Sequence, residues 1–92
     1  MKASVVGSVV EVRDGNTTFD FALYGWRLEL WRVTVANGKE WTRYERDSDG
    51  NMSVEDGTGT DDGGEVPCVY PSGEAISLAL QTARDHIQVV LG

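Results

Sequence analysis

The chain has 92 residues, of which 40% are hydrophobic, and its formal net charge is −7. These values favour one small globular domain spanning residues 1–92 and exclude a wholly disordered chain. No apolar run approaches the roughly 20 residues that cross a bilayer, so no membrane partner is expected.

The first half of the chain predicts β-strands. Its valine-rich start is broken by Glu11 and no small-residue cleavage site follows, so we expect mature protein rather than a signal peptide. Alternating apolar residues and turn signals such as Asp14-Gly15 and Asn37-Gly38 divide the rest. The predicted strands are Val5–Arg13, Thr18–Tyr24, Trp26–Ala36, Lys39–Arg46 and, as a short fifth, Asn51–Glu55.

The third predicted strand changes its apolar face in the middle. Trp26, Leu28 and Leu30 share one parity, whereas Trp31 and the following valines share the other. Either a β-bulge lies at 30–31, or the first half of the strand is covered on its second side.

The second half predicts a loop and then a helix. Asp56–Glu65 contains no hydrophobic residue, so we expect a mobile acidic loop at 56–65. Ser72 is a suitable N-cap for a C-terminal helix. The apolar stripe expected to face the core is Ile76, Leu80, Ala83, Ile87 and Val90. The sequence therefore predicts an α+β fold with an antiparallel sheet of four or five strands and one C-terminal helix on one face.

The Asn37-Gly38 turn predicts a strand register. If these two residues form the loop, Ala36 pairs with Lys39 and Arg32 lies directly opposite Arg43. Two opposed arginines favour an exposed face, so we expect them to contact an anionic partner or nucleic acid together with Lys39 and Trp41. The alternative is that Trp41 belongs to the core and the arginines extend around it. A three-residue loop would remove the arginine opposition.

Charge is distributed unevenly along the chain. Residues 1–46 have a net charge of +1, and residues 47–92 have a net charge of −8. Such an acidic half disfavours free duplex DNA as a partner and favours a basic protein surface. The alternative is that the acidity serves solubility.

No catalytic or metal-binding pattern is present. One histidine, His86, and one cysteine, Cys68, are too few for a zinc site, and each is expected to be structural. The lone cysteine also allows no internal disulfide, which favours the cytosol. Asp47 and Asp49 have the spacing of a calcium loop, but the glycine and glutamate that such a loop requires are missing. We therefore expect a protein that is not an enzyme and has no cofactor or metal.

The remaining pattern is a surface with charges of both signs. It suits a partner that presents both signs, as a ribonucleoprotein does. Nucleic acid would meet the basic and aromatic residues Arg32, Arg43, Lys39 and Trp41. Basic protein groups would meet the acidic residues Asp47, Asp49, Glu55, Asp56, Asp61 and Asp62.

In its size, acidity and layout the chain resembles phage-encoded anti-CRISPR proteins that act on type I-F surveillance complexes. The resemblance rests on no motif and assigns no residues. It implies a stoichiometric inhibitor in the cytoplasm of an infected bacterium that binds the RNA-guided complex and blocks target DNA. The acidic half would fit members that imitate DNA, and the face with Arg32 and Arg43 would fit members that contact the backbone subunits and the guide RNA. Two alternatives stay open. One is another phage or host-modulating interaction protein, and the other is an enzyme that depends on Cys68 or His86.

Overall fold

The computed structural model describes residues 1–25, 27–58 and 69–91. Within this part, six strands precede one helix: β1 (Lys2–Val6), β2 (Val9–Asp14), β3 (Thr17–Tyr24), β4 (Arg27–Asn37), β5 (Glu40–Arg46), β6 (Met52–Thr58) and α1 (Gly73–Leu91). The strands form one antiparallel sheet in sequence order, so each pairs only with its neighbours in the chain. The predicted α+β class with a C-terminal helix is confirmed, but the sheet has six strands rather than four or five.

The additional strand comes from a hairpin inside the valine-rich start. The predicted strand Val5–Arg13 is two strands, because β1 ends at Val6 and β2 begins opposite it at Val9. Gly7 takes the first of the two loop positions with a φ of 59°, which is the backbone of a type II′ turn. A single glycine among valines was too weak a signal for the sequence to reveal this turn.

The β4–β5 hairpin uses the same kind of turn. Gly38 has a φ of 64° and takes the first loop position, so the loop is Gly38-Lys39. Ala36 consequently pairs with Trp41, and the predicted pairing of Ala36 with Lys39 is wrong by two residues. The predicted loop needs a positive φ at Asn37, and no described residue other than glycine has one. From Arg32 onward, a two-residue shift leaves each side chain on its predicted face and changes its cross-strand partner.

A β-bulge in β4 explains the switch of its apolar face. Phe21 pairs with Leu30 but Asp20 pairs with Arg32, so Trp31 is an additional residue in β4. The bulge keeps Leu30 and Val33 on the same face as the phenylalanines of β3. Of the two explanations that the sequence offered, the bulge is confirmed.

The core lies between α1 and the first three strands. The helix packs on β1, β2 and β3. Buried apolar side chains on both sides of this contact are Val10, Val12, Phe19, Phe21, Val33, Val35, Ala79, Ala83 and Ile87. In the predicted helical stripe, Ala83 and Ile87 are buried, whereas Ile76 and Leu80 are only partly buried. The stripe missed Ala79, and the side chain of Val90 lies outside the described residues.

The boundaries of the last two elements agree partly with prediction. The hydroxyl of Ser72 accepts a hydrogen bond from the N–H of Ala75 at 3.2 Å, which confirms the N-cap. Strand β6 continues to Thr58, so residues 56–58 of the predicted acidic loop belong to the sheet. The remainder of that loop, residues 59–65, lies outside the described residues.

Candidate functional site

Arg32, a predicted anion contact, is engaged within the sheet. Its Nε atom lies 3.0 Å from Asp20 Oδ2, and its Nη1 atom lies 3.6 Å from Glu45 Oε1. Asp20 is only 4% exposed, so the arginine neutralises a buried carboxylate. The predicted opposition of Arg32 and Arg43 is wrong, because Glu45 occupies that position. The shifted turn is the reason.

The other three predicted basic and aromatic residues lie together on β5 and its turn. Trp41 and Arg43 share the sheet face opposite α1, where the Arg43 guanidinium carbon is 5.2 Å from the indole centroid. Trp41 lies over Gly57 of β6 so closely that a Cβ atom there would overlap its ring. Trp41 therefore packs outside the helix-side core, and Lys39 is exposed in the adjacent turn.

Among the predicted acidic residues that the structure describes, two accept hydrogen bonds within the hairpin and two expose their side chains. Asp47 Oδ1 accepts hydrogen bonds of 2.9 Å from the backbone N–H groups of Asp49 and Asn51, so it stabilises the β5–β6 turn. Asp56 accepts a 2.7 Å hydrogen bond from the hydroxyl of buried Thr42. Asp49 and Glu55 expose their side chains on the same hairpin. Asp61 and Asp62 lie outside the described residues.

A cleft that the sequence did not predict opens beside the β4 bulge. The pairing of β4 with β5 ends at Arg32 and Glu45, so the Arg27–Trp31 segment lacks a β5 partner in the described sheet. The space next to this segment has a volume of about 900 Å³. Its aromatic lining consists of Tyr24, Trp31, Tyr44 and Tyr70. Arginine side chains on it come from Arg27, Arg32 and Arg46.

The walls of the cleft combine packed aromatic rings with an unsatisfied donor. The rings of Tyr44 and Tyr70 meet edge to face at 4.9 Å. The indole Nε1 of Trp31 is buried and has no hydrogen-bond partner among the described residues. A buried unpaired N–H is costly, so a rotation of the indole that brings Nε1 to an acceptor in the cleft would stabilise this site. This combination suits an extended or planar ligand with a carbonyl or carboxylate oxygen.

The sequence contained only part of the signal for this cleft. The face switch at 30–31 locates Trp31 at the bulge. The tyrosines are far apart in the chain. They line one cleft only because the pairing of β4 with β5 stops where it does. No local pattern encodes that endpoint, because it follows from the turn that set the register.

Residues 1–25, 27–58 and 69–91 contain no group of three or more His, Cys, Asp or Glu side chains able to hold a metal ion. His86 is half-buried on α1, and Cys68 lies outside these ranges. No helix among the described residues combines the length and apolarity needed to cross a membrane.

Comparisons with known proteins give no family for this chain. Neither the models of protein families, nor the curated proteins, nor the solved structures contain a match to it.

Proposed function

We propose that this protein acts by binding a macromolecular partner in a fixed stoichiometry and without catalysing a reaction. The observation that carries the proposal is the β5–β6 hairpin, which presents charges of both signs. Its connecting turn exposes Asp49, and the turn leading into the hairpin exposes Lys39. Exposed charges of this kind steer association and select partners of complementary charge.

The proposed partner is a ribonucleoprotein, namely a type I-F CRISPR surveillance complex. The chain's resemblance to anti-CRISPR proteins and its net charge of −7 support this choice. In this proposal, basic protein groups of the complex meet Asp49 and Glu55, and its guide RNA meets Lys39, Trp41 and Arg43. Arg32 is left out of the contact, because its charge is held by Asp20 and Glu45. Binding would take place in the bacterial cytoplasm and block target DNA.

The test is co-purification with a type I-F surveillance complex, followed by measurement of target DNA binding. We expect a complex of fixed stoichiometry that no longer binds its target. Asp49→Lys is expected to weaken association by about tenfold, because it places a cation against a basic surface. Asp14→Lys is the matched control, since Asp14 is also exposed beside a turn but lies outside this hairpin.

The basic side of the hairpin has its own matched pair. Lys39→Glu is expected to weaken association, whereas Lys2→Glu on β1 should leave it unchanged. Both lysines are exposed, but only Lys39 borders the hairpin. If the protein fails to associate at low salt, the surveillance complex is not its partner. If Asp14→Lys weakens binding as much as Asp49→Lys, overall charge rather than the hairpin determines association.

A further inference from the structure

We propose that the cleft beside β4 is a docking site for an extended peptide segment that carries a carboxylate side chain. The segment would pair with Arg27–Trp31 as a short additional strand. The cleft adjoins the β5–β6 hairpin, whose residues Arg46 and Asp47 form part of its lining. The peptide proposal does not depend on the identity of the ribonucleoprotein partner.

The Arg27–Trp31 segment of β4 has an exposed edge. Residues 27–30 pair with β3 on one side, from Arg27 with Tyr24 to Leu30 with Phe21. On the other side the described sheet offers no strand, because β5 pairs only from Arg32 onward. An unpaired strand edge presents backbone N–H and C=O groups that accept another strand. Five residues extend over about 16 Å, which suits a short peptide.

The chemistry of the cleft walls also suits a peptide. A peptide carbonyl is a strong acceptor, and the buried Nε1 of Trp31 is a donor without a described partner. The aromatic rings of Tyr24, Tyr44 and Tyr70 provide apolar surface for the side chains of an added strand. Backbone pairing would supply affinity, and these rings would select the side chains.

The charge of the cleft favours a peptide that carries a carboxylate. Three of the eight basic side chains of this acidic protein line the cleft. Arg32 forms an ion pair with Asp20. Arg27 lies 3.8 Å from Glu29, and this pair is exposed to solvent. Arg46 has no carboxylate within ion-pair distance in the described chain. A carboxylate on the peptide would complement Arg46.

A single-stranded nucleic acid fits the same cleft less well. Such strands are held by a groove of cations that follows successive phosphates. Here Glu29 and Asp47 share the cleft with the arginines, and Arg32 is already neutralised. The unpaired strand edge can form backbone hydrogen bonds with a peptide, whereas a polynucleotide has no peptide backbone to pair with it.

The probe is a blocked peptide obtained by selecting a random twelve-residue display library against the full chain. Each selected peptide is synthesised in two further forms. One carries N-methyl groups on the odd-numbered residues, and the other carries them on the even-numbered residues. Strand addition predicts that one set abolishes binding and the other is tolerated, because alternate amides of a strand point to opposite edges. Replacing the glutamates of the peptide by glutamine should weaken binding.

Protein variants locate the site. Arg46→Glu is expected to lower peptide affinity by about tenfold, whereas Arg84→Glu, an equal charge change at an exposed position of α1, should not alter it. In NMR spectra, the indole N–H signal of Trp31 should move on binding while that of Trp41 stays in place. Trp31→Phe and Trp41→Phe assign the two signals.

Several results would overturn the proposal. They are a selection that yields no peptide, binding that tolerates both N-methylated forms, and equal losses for Arg46→Glu and Arg84→Glu. Displacement of the Trp31 signal by an oligouridylate, without a response to any selected peptide, would assign the cleft to nucleic acid instead.

Discussion

The two halves of the sheet differ in how they are stabilised. Strands β1–β3 are covered by α1, and their inward side chains, such as Val10 and Phe19, are almost fully buried. Strand β6, at the other edge, leaves Val54 about half exposed at 53%. The first three strands are therefore held by apolar burial under the helix, and β4 adds Val33 and Val35 to the same core. Strands β5 and β6 are held mainly by pairing and by specific polar and aromatic contacts. The proposed binding surfaces lie on the part of the sheet that α1 leaves uncovered.

The largest expected effect tests the buried half. Phe19→Ala removes a ring from the centre of the core and should lower the free energy of unfolding by about 3–5 kcal/mol. Val54→Ala removes an exposed side chain from β6 and should cost less than about 1 kcal/mol. Urea denaturation of both variants gives the comparison. Equal losses would show that burial stabilises the two halves alike.

The ion pair between Asp20 and Arg32 is expected to have the next largest effect. Arg32→Met leaves the buried carboxylate of Asp20 without its cation and should destabilise the protein by about 2–4 kcal/mol. Asp20→Leu combined with Arg32→Met removes both charges and should recover most of this loss. The measurement is a denaturation cycle of the two single variants and the double variant. If the losses of the two single variants simply added up in the double variant, the two side chains would not be energetically coupled.

The contact between Trp41 and Gly57 gives a smaller effect in the uncovered half. Gly57→Ala introduces a Cβ atom into the space of the indole ring and should cost about 1–3 kcal/mol. In a Trp41→Leu background the same substitution should cost clearly less, because the smaller side chain leaves room. Thermal unfolding of the four proteins measures the difference. An unchanged cost in that background would place the strain in the backbone of β6.

The smallest expected effect lies at the start of the helix. Ser72→Ala removes the acceptor for the N–H of Ala75 and should destabilise the protein by about 1 kcal/mol. Ser72→Asp keeps an acceptor and should preserve stability. Chemical denaturation followed by circular dichroism measures both, and equal behaviour of the two variants would mean that the cap contributes nothing.

The sequence predicted the fold well where one local pattern determined the outcome. Alternation identified β3 to β5, Ser72 marked the start of α1, and the parity change located the bulge at Trp31. The hairpin at Gly7 was missed because one glycine among valines is a weak turn signal. The register after Asn37 was missed because the identity of the dipeptide does not decide which loop position the glycine occupies.

The candidate site was less accessible to sequence reasoning. Charge could be assigned to residues, but pairing could not, so Arg32 was taken as a contact for an anion although Asp20 and Glu45 engage it. The cleft required the meeting of Trp31, Tyr44 and Tyr70, which come from three separate parts of the chain. Such long-range assembly follows from strand register and strand length, which single-residue patterns describe poorly.

The order of the elements also bears on how the chain is made. Each strand meets its predecessor across a short turn, so the sheet can form step by step as synthesis proceeds from the N-terminus. The helix that covers β1–β3 follows all six strands. Until α1 emerges, the nascent chain exposes Val12, Phe19 and Phe21 to the cellular environment.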